Sequence, residues 1–245
     1  MDTLAPTSDD TVVEIGPGRG ALTDLLVQRA GRVVAVELDH ALAGILRGRY
    51  AGNDSVEIVE ADILQTDPGE LGGEGYLLIG NVPYYITTPI LFHALECRLP
   101  RRAVFLVQRE VASRAMSSPG SRTYGALSVN LQVLATVERV FDIPPGAFRP
   151  PPKVDSSVIL VTPLATPVLR EGEQRRFRSF VQSLFSQRRK QIGTILRALP
   201  PSAAGIPAVT QDALATLGIP TSERPERLSP VQFVELFREV RKGEG

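Results

Sequence analysis

Through the first two thirds of the chain, apolar residues come in short runs separated by stretches with helical spacing. Val12-Val13-Glu14-Ile15, Arg32-Val33-Val34-Ala35-Val36, Val56-Glu57-Ile58-Val59, Tyr76-Leu77-Leu78-Ile79 and Ala103-Val104-Phe105-Leu106-Val107 read as buried strands. Between them, Ala21 to Arg29, a segment through Leu46, Thr88 to Glu96 and Arg109 to Met116 carry helical patterns. This alternation predicts an α/β fold with a parallel sheet and crossover helices. A further helix is expected from about Gly125 to Leu134. Val137 to Phe141 and Ser157 to Val161 read as closing strands on either side of a proline-rich loop, and Ser117-Ser118-Pro119-Gly120-Ser121 reads as a mobile loop.

The pattern changes at Thr162-Pro163-Leu164-Ala165-Thr166-Pro167, where strand periodicity stops and prolines cluster. Beyond it the spacing is helical: Phe177 to Phe185, Arg189 to Leu199, Thr210 to Leu217 and Pro230 to Arg241. The expected organisation is a main domain over residues 1–165 and a small helical domain over 166–245. The sequence has no internal repeat and no low-complexity tract.

Composition narrows the class. The apolar fraction of 43% suffices for a sizeable core. No apolar run approaches the roughly 20 residues needed to span a bilayer, and no signal peptide opens the chain, so no membrane partner is expected and the cytoplasm is the default compartment. The single cysteine, Cys97, excludes an internal disulfide framework and a thiolate metal site, and reads as a buried structural thiol. His40 and His93 lie far apart without ligand spacing and read as structural; no metal is expected. Nothing points to an obligate dimer, and a monomer is expected.

A net charge of zero conceals a segregated distribution. Residues 1–97 hold 5 basic and 15 acidic side chains, residues 98–199 hold 17 and 6, and residues 200–245 hold 5 and 6. Such a chain can present a positive face to a polyanion while the opposite side stays acidic. The alternative is that these cations only solvate separate helix faces.

The first strand runs into Glu14-Ile15-Gly16-Pro17-Gly18-Arg19-Gly20. Glycines there let the backbone turn tightly and approach a ligand, and a following helix N-terminus adds a positive dipole. Glu37, ending the second strand, can accept both hydroxyls of a ribose. Asp62, after the third, can accept from an adenine amino group, with the Ile63 amide near the ring. These positions occupy successive strand C-termini, the rim where open α/β sheets bind ligands. Each acid alone equally suits a solvated surface, but together with Gly16 and Gly18 the set fits an adenosine-bearing cofactor without a pyrophosphate, S-adenosylmethionine. A nicotinamide dehydrogenase would instead carry Gly-x-Gly-x-x-Gly and a hydride-handling constellation, and neither is present.

The fourth strand ends in Gly80-Asn81-Val82-Pro83-Tyr84-Tyr85. A strand-to-helix turn, with Thr88 as N-cap and Pro89 at the first helical position, would account for it structurally. The tetrapeptide Asn81 to Tyr84 also has the parts needed to hold a base. The Asn81 side-chain oxygen and the Val82 carbonyl can accept the two N–H protons of an adenine amino group. That draws the nitrogen toward pyramidal geometry and localises its lone pair for methyl transfer. Tyr84 can stack on the ring, a contact worth roughly 1–3 kcal/mol per base. No strong general base is required, and the base must be unstacked or single-stranded.

Two further segments complete the candidates. In Pro144-Pro145-Gly146-Ala147-Phe148-Arg149-Pro150-Pro151-Pro152-Lys153, Phe148 either forms the second face of a base clamp, with Arg149 and Lys153 on phosphates, or plugs the core beneath the loop. Phe185-Ser186-Gln187-Arg188-Arg189-Lys190-Gln191 places Arg188, Arg189 and Lys190 at a helix junction. With Arg175, Arg176 and Arg178 upstream, phosphate contact is the favoured reading over a solvated face; Arg101, Arg102 and Arg109 can extend the patch.

These stretches, with Val36-Glu37-Leu38-Asp39, Glu60-Ala61-Asp62, Val107-Gln108-Arg109-Glu110-Val111, Tyr124-Gly125-Ala126-Leu127-Ser128-Val129 and Phe148 through Ser156, resemble the ribosomal RNA adenine dimethyltransferase family of the KsgA type. The resemblance covers nearly the whole chain. It implies a Rossmann-like S-adenosylmethionine-dependent methyltransferase sheet with a small C-terminal helical domain. It further implies dimethylation of two adjacent adenosines near the 3′ end of small-subunit rRNA, on a pre-ribosomal small subunit. The positions carried over are Gly16, Glu37, Asp62 and Asn81 for the cofactor, and Asn81 and Tyr84 for the base. Val82 stands where the family usually has leucine, a mild change because the backbone carbonyl acts there. The family also begins with a helical segment bearing Gln-Asn-Phe-Leu, whereas here the first strand starts at Val12. Loss of that segment predicts weakened cofactor affinity and impaired catalysis with RNA binding by the basic half retained, as in an assembly factor. The other alternative is the macrolide-resistance type acting on large-subunit rRNA, against which the Ser186 to Lys190 segment and the Phe148 loop favour the small-subunit type.

Overall fold

The computed structural model describes residues 2–149, 151–170, 172–198 and 210–242. Its strands are β1 (Thr11–Ile15), β2 (Arg32–Glu37), β3 (Val56–Glu60), β4 (Leu77–Gly80), β5 (Arg102–Gln108), β6 (Ala135–Ile143) and β7 (Ser156–Pro163). They form one sheet in the order β3-β2-β1-β4-β5-β7-β6. β1 to β5 run parallel, and β7 returns antiparallel along β5. The inner strands β1, β2 and β4 are buried almost throughout, which is why they read as continuous apolar runs rather than alternating ones.

The helices are α1 (Thr23–Leu26), α2 (His40–Arg49), α3 (Pro68–Gly72), α4 (Thr87–Glu96), α5 (Arg109–Ala115), α6 (Ala126–Gln132), α7 (Gln174–Ser186), α8 (Ile192–Ala198), α9 (Thr210–Thr216) and α10 (Pro230–Arg241). The helix expected over Ala21 to Arg29 shrinks to one turn. Gly20 sits at φ +83° before it, and at its C-terminal end Arg29 and Ala30 both donate to Leu26 O in a tightened turn. The N-cap reading of Thr88 is also corrected. α4 starts one residue earlier, its cap is Ile86 without a side-chain bond, and Pro89 is its third residue. Leu199, the expected end of α8, lies outside the described residues.

Two compact units make up the chain: residues 1–112 with 136–163, and residues 113–135 with 164–245. The division is therefore not a single cut near residue 165, because the segment carrying α6 clusters with the C-terminal helices. Gln132 Nε2 donates to Ala115 O and Ser117 O, Tyr124 OH donates to Leu228 O, and the Tyr124 ring meets Phe185 edge-on at 6.1 Å. The Ser117 to Ser121 loop, expected to be mobile, is instead bonded at several points. Gly120 N donates to Glu226 O at 2.7 Å, and Ser117 Oγ to Ser113 O at 2.6 Å.

Cys97 is half-buried rather than buried, and its thiol is pushed up to about 11 by burial and the nearby Asp67 charge. His93 Nε2 lies 2.8 Å from Thr66 O and His40 Nδ1 2.8 Å from Glu60, both local structural contacts. Among the described residues no helix is long and apolar enough to cross a membrane, and no cluster of potential metal ligands occurs.

Candidate active site

Strand order reverses between β1 and β4, since β2 and β3 lie on one side of β1 and β5 lies beyond β4. Such a switch point leaves a crevice outside the strand C-termini, where ligands bind. The register fixes what flanks it. Ile15 pairs with Gly80 on one side and with Val36 on the other, so Gly16, Asn81 and Glu37 emerge side by side. Glu37 in turn pairs with Glu60, two residues before Asp62.

The glycine loop closes over this point. Gly16 and Gly18 adopt φ +67° and +60°, a region that L side chains rarely enter. A Cβ built on Gly18 would meet nothing within 4 Å, so its backbone stands open to a ligand. Gly16 N donates to Val36 O at 3.0 Å and Gly18 N donates to Glu37 Oε2 at 3.0 Å. Glu37 Oε1 accepts from Asp39 N at 3.0 Å. The carboxylate is only 7% exposed and is clamped by backbone N–H groups at the loop, with lone pairs left for a further donor. Asp62 is half-buried, and its Oδ1 accepts from Leu64 N at 2.9 Å to cap the 3-10 turn Ile63–Gln65. An open glycine backbone beside a clamped acid and a second capped acid matches the donor set of S-adenosylmethionine. Gly16, Gly18, Glu37 and Asp62 would hold it, with Ile63 buried beside them.

The acceptor turn shares a wall with this loop. A Cβ on Gly16 would lie 3.5 Å from Val82 Cγ1 and 3.8 Å from Asn81 O. Val82 is buried, so its side chain seats the turn while the exposed Asn81 side chain remains available. Gly80 packs closely beneath the turn: a Cβ there would lie 3.1 Å from the Phe105 ring, which would have to shift by a few tenths of an ångström. Ile86 N and Thr87 Oγ1 both donate to Pro83 O, which ties the turn to the start of α4. Tyr84 is half-buried with its hydroxyl bonded to Ser156 Oγ, whereas Tyr85 is 86% exposed.

The remaining candidates divide. Phe148 is half-buried just after the 3-10 turn Pro145–Ala147; Arg149 and Lys153 are exposed, and Pro150 lies outside the described residues. Arg189 and Lys190 are exposed in the segment before α8. Arg188 is placed differently from its neighbours. Its Nε bonds Glu226 at 3.1 Å and its NH2 donates to Arg122 O and Tyr124 O at 2.8 and 2.6 Å. That guanidinium helps hold its own unit together, while its side chain stays 40% exposed. Arg101 and Arg109 are likewise engaged, with Asp10 and Asp155.

Two residues escaped the sequence reading. Glu14, within β1, is 2% exposed and accepts from Thr23 Oγ1 at 2.7 Å. Burial pushes its carboxyl up to about 7; the Thr23 bond opposes this, and the charges of Asp24 and Glu37 add to it. An acid inside an otherwise apolar strand was the available signal. Ser156, the partner of Tyr84, carried none.

Comparison with known proteins places this geometry. The family model for ribosomal RNA adenine dimethylases matches residues 1–242. The chain belongs to that family. It is 44% identical over 241 residues to ribosomal RNA small subunit methyltransferase A of Acidobacterium capsulatum, covering 97% of this chain and 84% of that protein. The protein of the same name in Geobacter sulfurreducens is 44% identical over 235 residues, covering 94% and 84%. Among solved structures, a dimethyladenosine transferase from Plasmodium falciparum superposes with a TM-score of 0.82 at 25% identity, covering 99% of this chain and 95% of that one. The 23S rRNA methyltransferase ErmE gives a TM-score of 0.69 at 30% identity, covering 98% and 94%. As a member of the family the chain is an S-adenosylmethionine-dependent rRNA adenine dimethyltransferase, and its sheet is the Rossmann-like sheet of that class.

Proposed function

We propose that this chain dimethylates the N6 amino groups of two adjacent adenosines near the 3′ end of small-subunit rRNA, on a pre-ribosomal small subunit. The observation that carries the reading is the contact between the glycine loop and the acceptor turn. A side-chain carbon placed on Gly16 would just touch Val82 Cγ1 and the Asn81 backbone carbonyl, at 3.5 and 3.8 Å, so the glycine loop and the acceptor turn lie against one another. Holding two reactants together can supply much of a rate enhancement.

Bound S-adenosylmethionine supplies an electrophilic methyl group on its sulfonium. The chain's own residues prepare the nucleophile. Asn81 accepts one amino proton at its side-chain oxygen and Val82 accepts the other at its backbone carbonyl, which localises the nitrogen lone pair. Tyr84 offers its ring to one face of the base, and Phe148 is assigned the other. The proton lost after methylation needs no strong base, because the methylated nitrogen is itself acidic. Arg149 and Lys153 in one unit, and Arg189 and Lys190 in the other, are assigned to rRNA phosphates.

A second reading, methylation of a large-subunit adenosine, is motivated by the likeness to ErmE. The two curated small-subunit relatives at 44% identity favour the first. Intact Asn81 and Tyr84 favour catalysis over an assembly factor without chemistry. The test incubates the protein with labelled donor and unmethylated small subunits and maps the methylated adenosines. Two adjacent dimethylated adenosines are expected; label confined to large-subunit RNA, or binding without label, would sink the proposal. Within the same assay, Asn81→Ala should lower transfer by two to three orders of magnitude, about 3–4 kcal/mol of barrier, with subunit binding nearly unchanged.

A further inference from the structure

The glycine loop is gripped a second time, from the far end of α2. At its near end that helix is tied to the donor site: Asp39 caps it by accepting from Leu42 N, and Glu37 accepts from Asp39 N. Its last residue, Arg49, and its C-cap, Tyr50, turn back onto the loop. Arg49 NH1 donates to Arg19 O at 2.9 Å, and its NH2 bonds the Asp24 carboxylate. Tyr50 OH donates to the other Asp24 oxygen at 2.7 Å. Asp24 N in turn donates to Gly20 O at 2.9 Å, so the residue held by Arg49 and Tyr50 is bonded to the loop's own backbone.

Packing agrees with the bonds. Gly20 sits at φ +83°, and a Cβ there would lie 2.9 Å from Leu46 Cδ2, 3.2 Å from Tyr50 OH and 3.3 Å from Arg49 NH1, so helix and loop are in direct contact. A basic residue in the last turn of a helix ordinarily does no more than offset the helix dipole. Arg49 does more, since its fork serves a loop carbonyl and a carboxylate 30 and 25 residues away in sequence. Burial and the bond to Asp24 push the Tyr50 hydroxyl up to about 12, so it stays a donor near neutral pH. Gly18 is thus fixed by Glu37 at the end of β2, and the next residue, Arg19, by the end of α2. A loop ordered in advance loses less freedom when its ligand binds.

We infer that Arg49 and Tyr50 are positioning residues for the methyl donor, holding the Gly16 to Gly20 loop in the conformation that receives S-adenosylmethionine; the inference rests on the assignment of that loop to the donor. The test compares wild type with Tyr50→Phe, which deletes one oxygen, with Arg49→Met, which keeps the aliphatic stem, and with Glu37→Gln. Affinity for S-adenosylhomocysteine, by calorimetric titration, should fall about threefold to tenfold in Tyr50→Phe and in Arg49→Met, the worth of one or two hydrogen bonds. The KM for the donor should rise by the same factor, while kcat at saturating donor and affinity for a small-subunit rRNA fragment hold at wild-type values. A merely structural role would not give that split. Melting temperature should fall by no more than about 4 °C; if Arg49→Met does not fold, Tyr50→Phe alone decides. Unchanged affinity in both, with Glu37→Gln weakened, would overturn the inference and leave the donor site standing. Unchanged affinity in all three variants would overturn both. A fall in kcat with the donor KM unchanged would place the two residues in the transfer step and overturn the positioning role.

Discussion

The Tyr84 hydroxyl is hydrogen-bonded to Ser156 Oγ, joining the acceptor turn to the first residue of β7 across 72 residues of sequence. Ser156 is fully buried, so the bond fixes one end of a ring whose other faces are half open. Its neighbours act alike: Asp155 pairs with Arg109 at 2.8 Å and Ser157 Oγ donates to Asp142 at 2.6 Å. The start of β7 thereby ties three separate elements.

Ser156→Ala should therefore loosen Tyr84 without unfolding the sheet. A single such bond is worth about 1 kcal/mol, so methyl transfer should fall about fivefold, and Tyr84→Phe should match it. The double variant should be no slower than either single one, because both remove the same bond. Additive losses in a single-turnover assay would show that the two residues act separately.

Much of this site was legible beforehand, and what was not follows from packing. The strands that lead to Gly16, Glu37 and Asn81 are buried almost throughout, so each appears as a largely apolar run whose end marks a rim position; the strand before Asp62 is half-exposed and alternates instead. Arg188, Arg189 and Lys190 are chemically alike in sequence. Only the folded helical unit, with Glu226 and two carbonyls gathered around the first of them, shows that one also bonds within the unit. The link between Tyr84 and Ser156 depends on β7 returning beside β5, a long-range pairing that no local pattern encodes.

That division of the cations yields an expectation for the basic segment. Arg188→Ala leaves Glu226 and the Arg122 and Tyr124 carbonyls without their donor, and should cost about 1–3 kcal/mol in urea unfolding. Arg189→Ala/Lys190→Ala should leave stability within about 0.5 kcal/mol but weaken rRNA binding and flatten its salt dependence. Equal effects of the two variants on stability would contradict the structural role of the Arg188 bonds.

Glu37 makes the donor site testable apart from RNA. Both its oxygens accept backbone N–H groups, from Gly18 and Asp39. In Glu37→Gln one of those donors would face an amide NH₂, so the loop should lose its clamp. Affinity for S-adenosylhomocysteine, measured by calorimetric titration, should fall at least tenfold, about 1.4 kcal/mol. Unchanged affinity would remove Glu37 from the site.

Glu14 sets a pH dependence of stability. Its carboxyl is raised from an ordinary value of 4.5 to about 7 by burial in β1, with the Thr23 bond opposing and the Asp24 and Glu37 charges reinforcing the shift. The folded chain thus holds a proton that the unfolded chain releases at lower pH. The stabilisation is complete below about 4.5, falls as pH rises, and is lost once pH passes about 7, where the buried group must carry charge. A shift of this size corresponds to roughly 3 kcal/mol. Glu14→Gln cannot ionise, so the difference between its unfolding free energy and that of the wild type should grow in the variant's favour from pH 4.5 to 8. Urea titrations across that range cancel the groups common to both chains. Parallel curves would mean that water or a rearranged neighbour already solvates Glu14, and that the acid beneath the glycine loop is charged throughout.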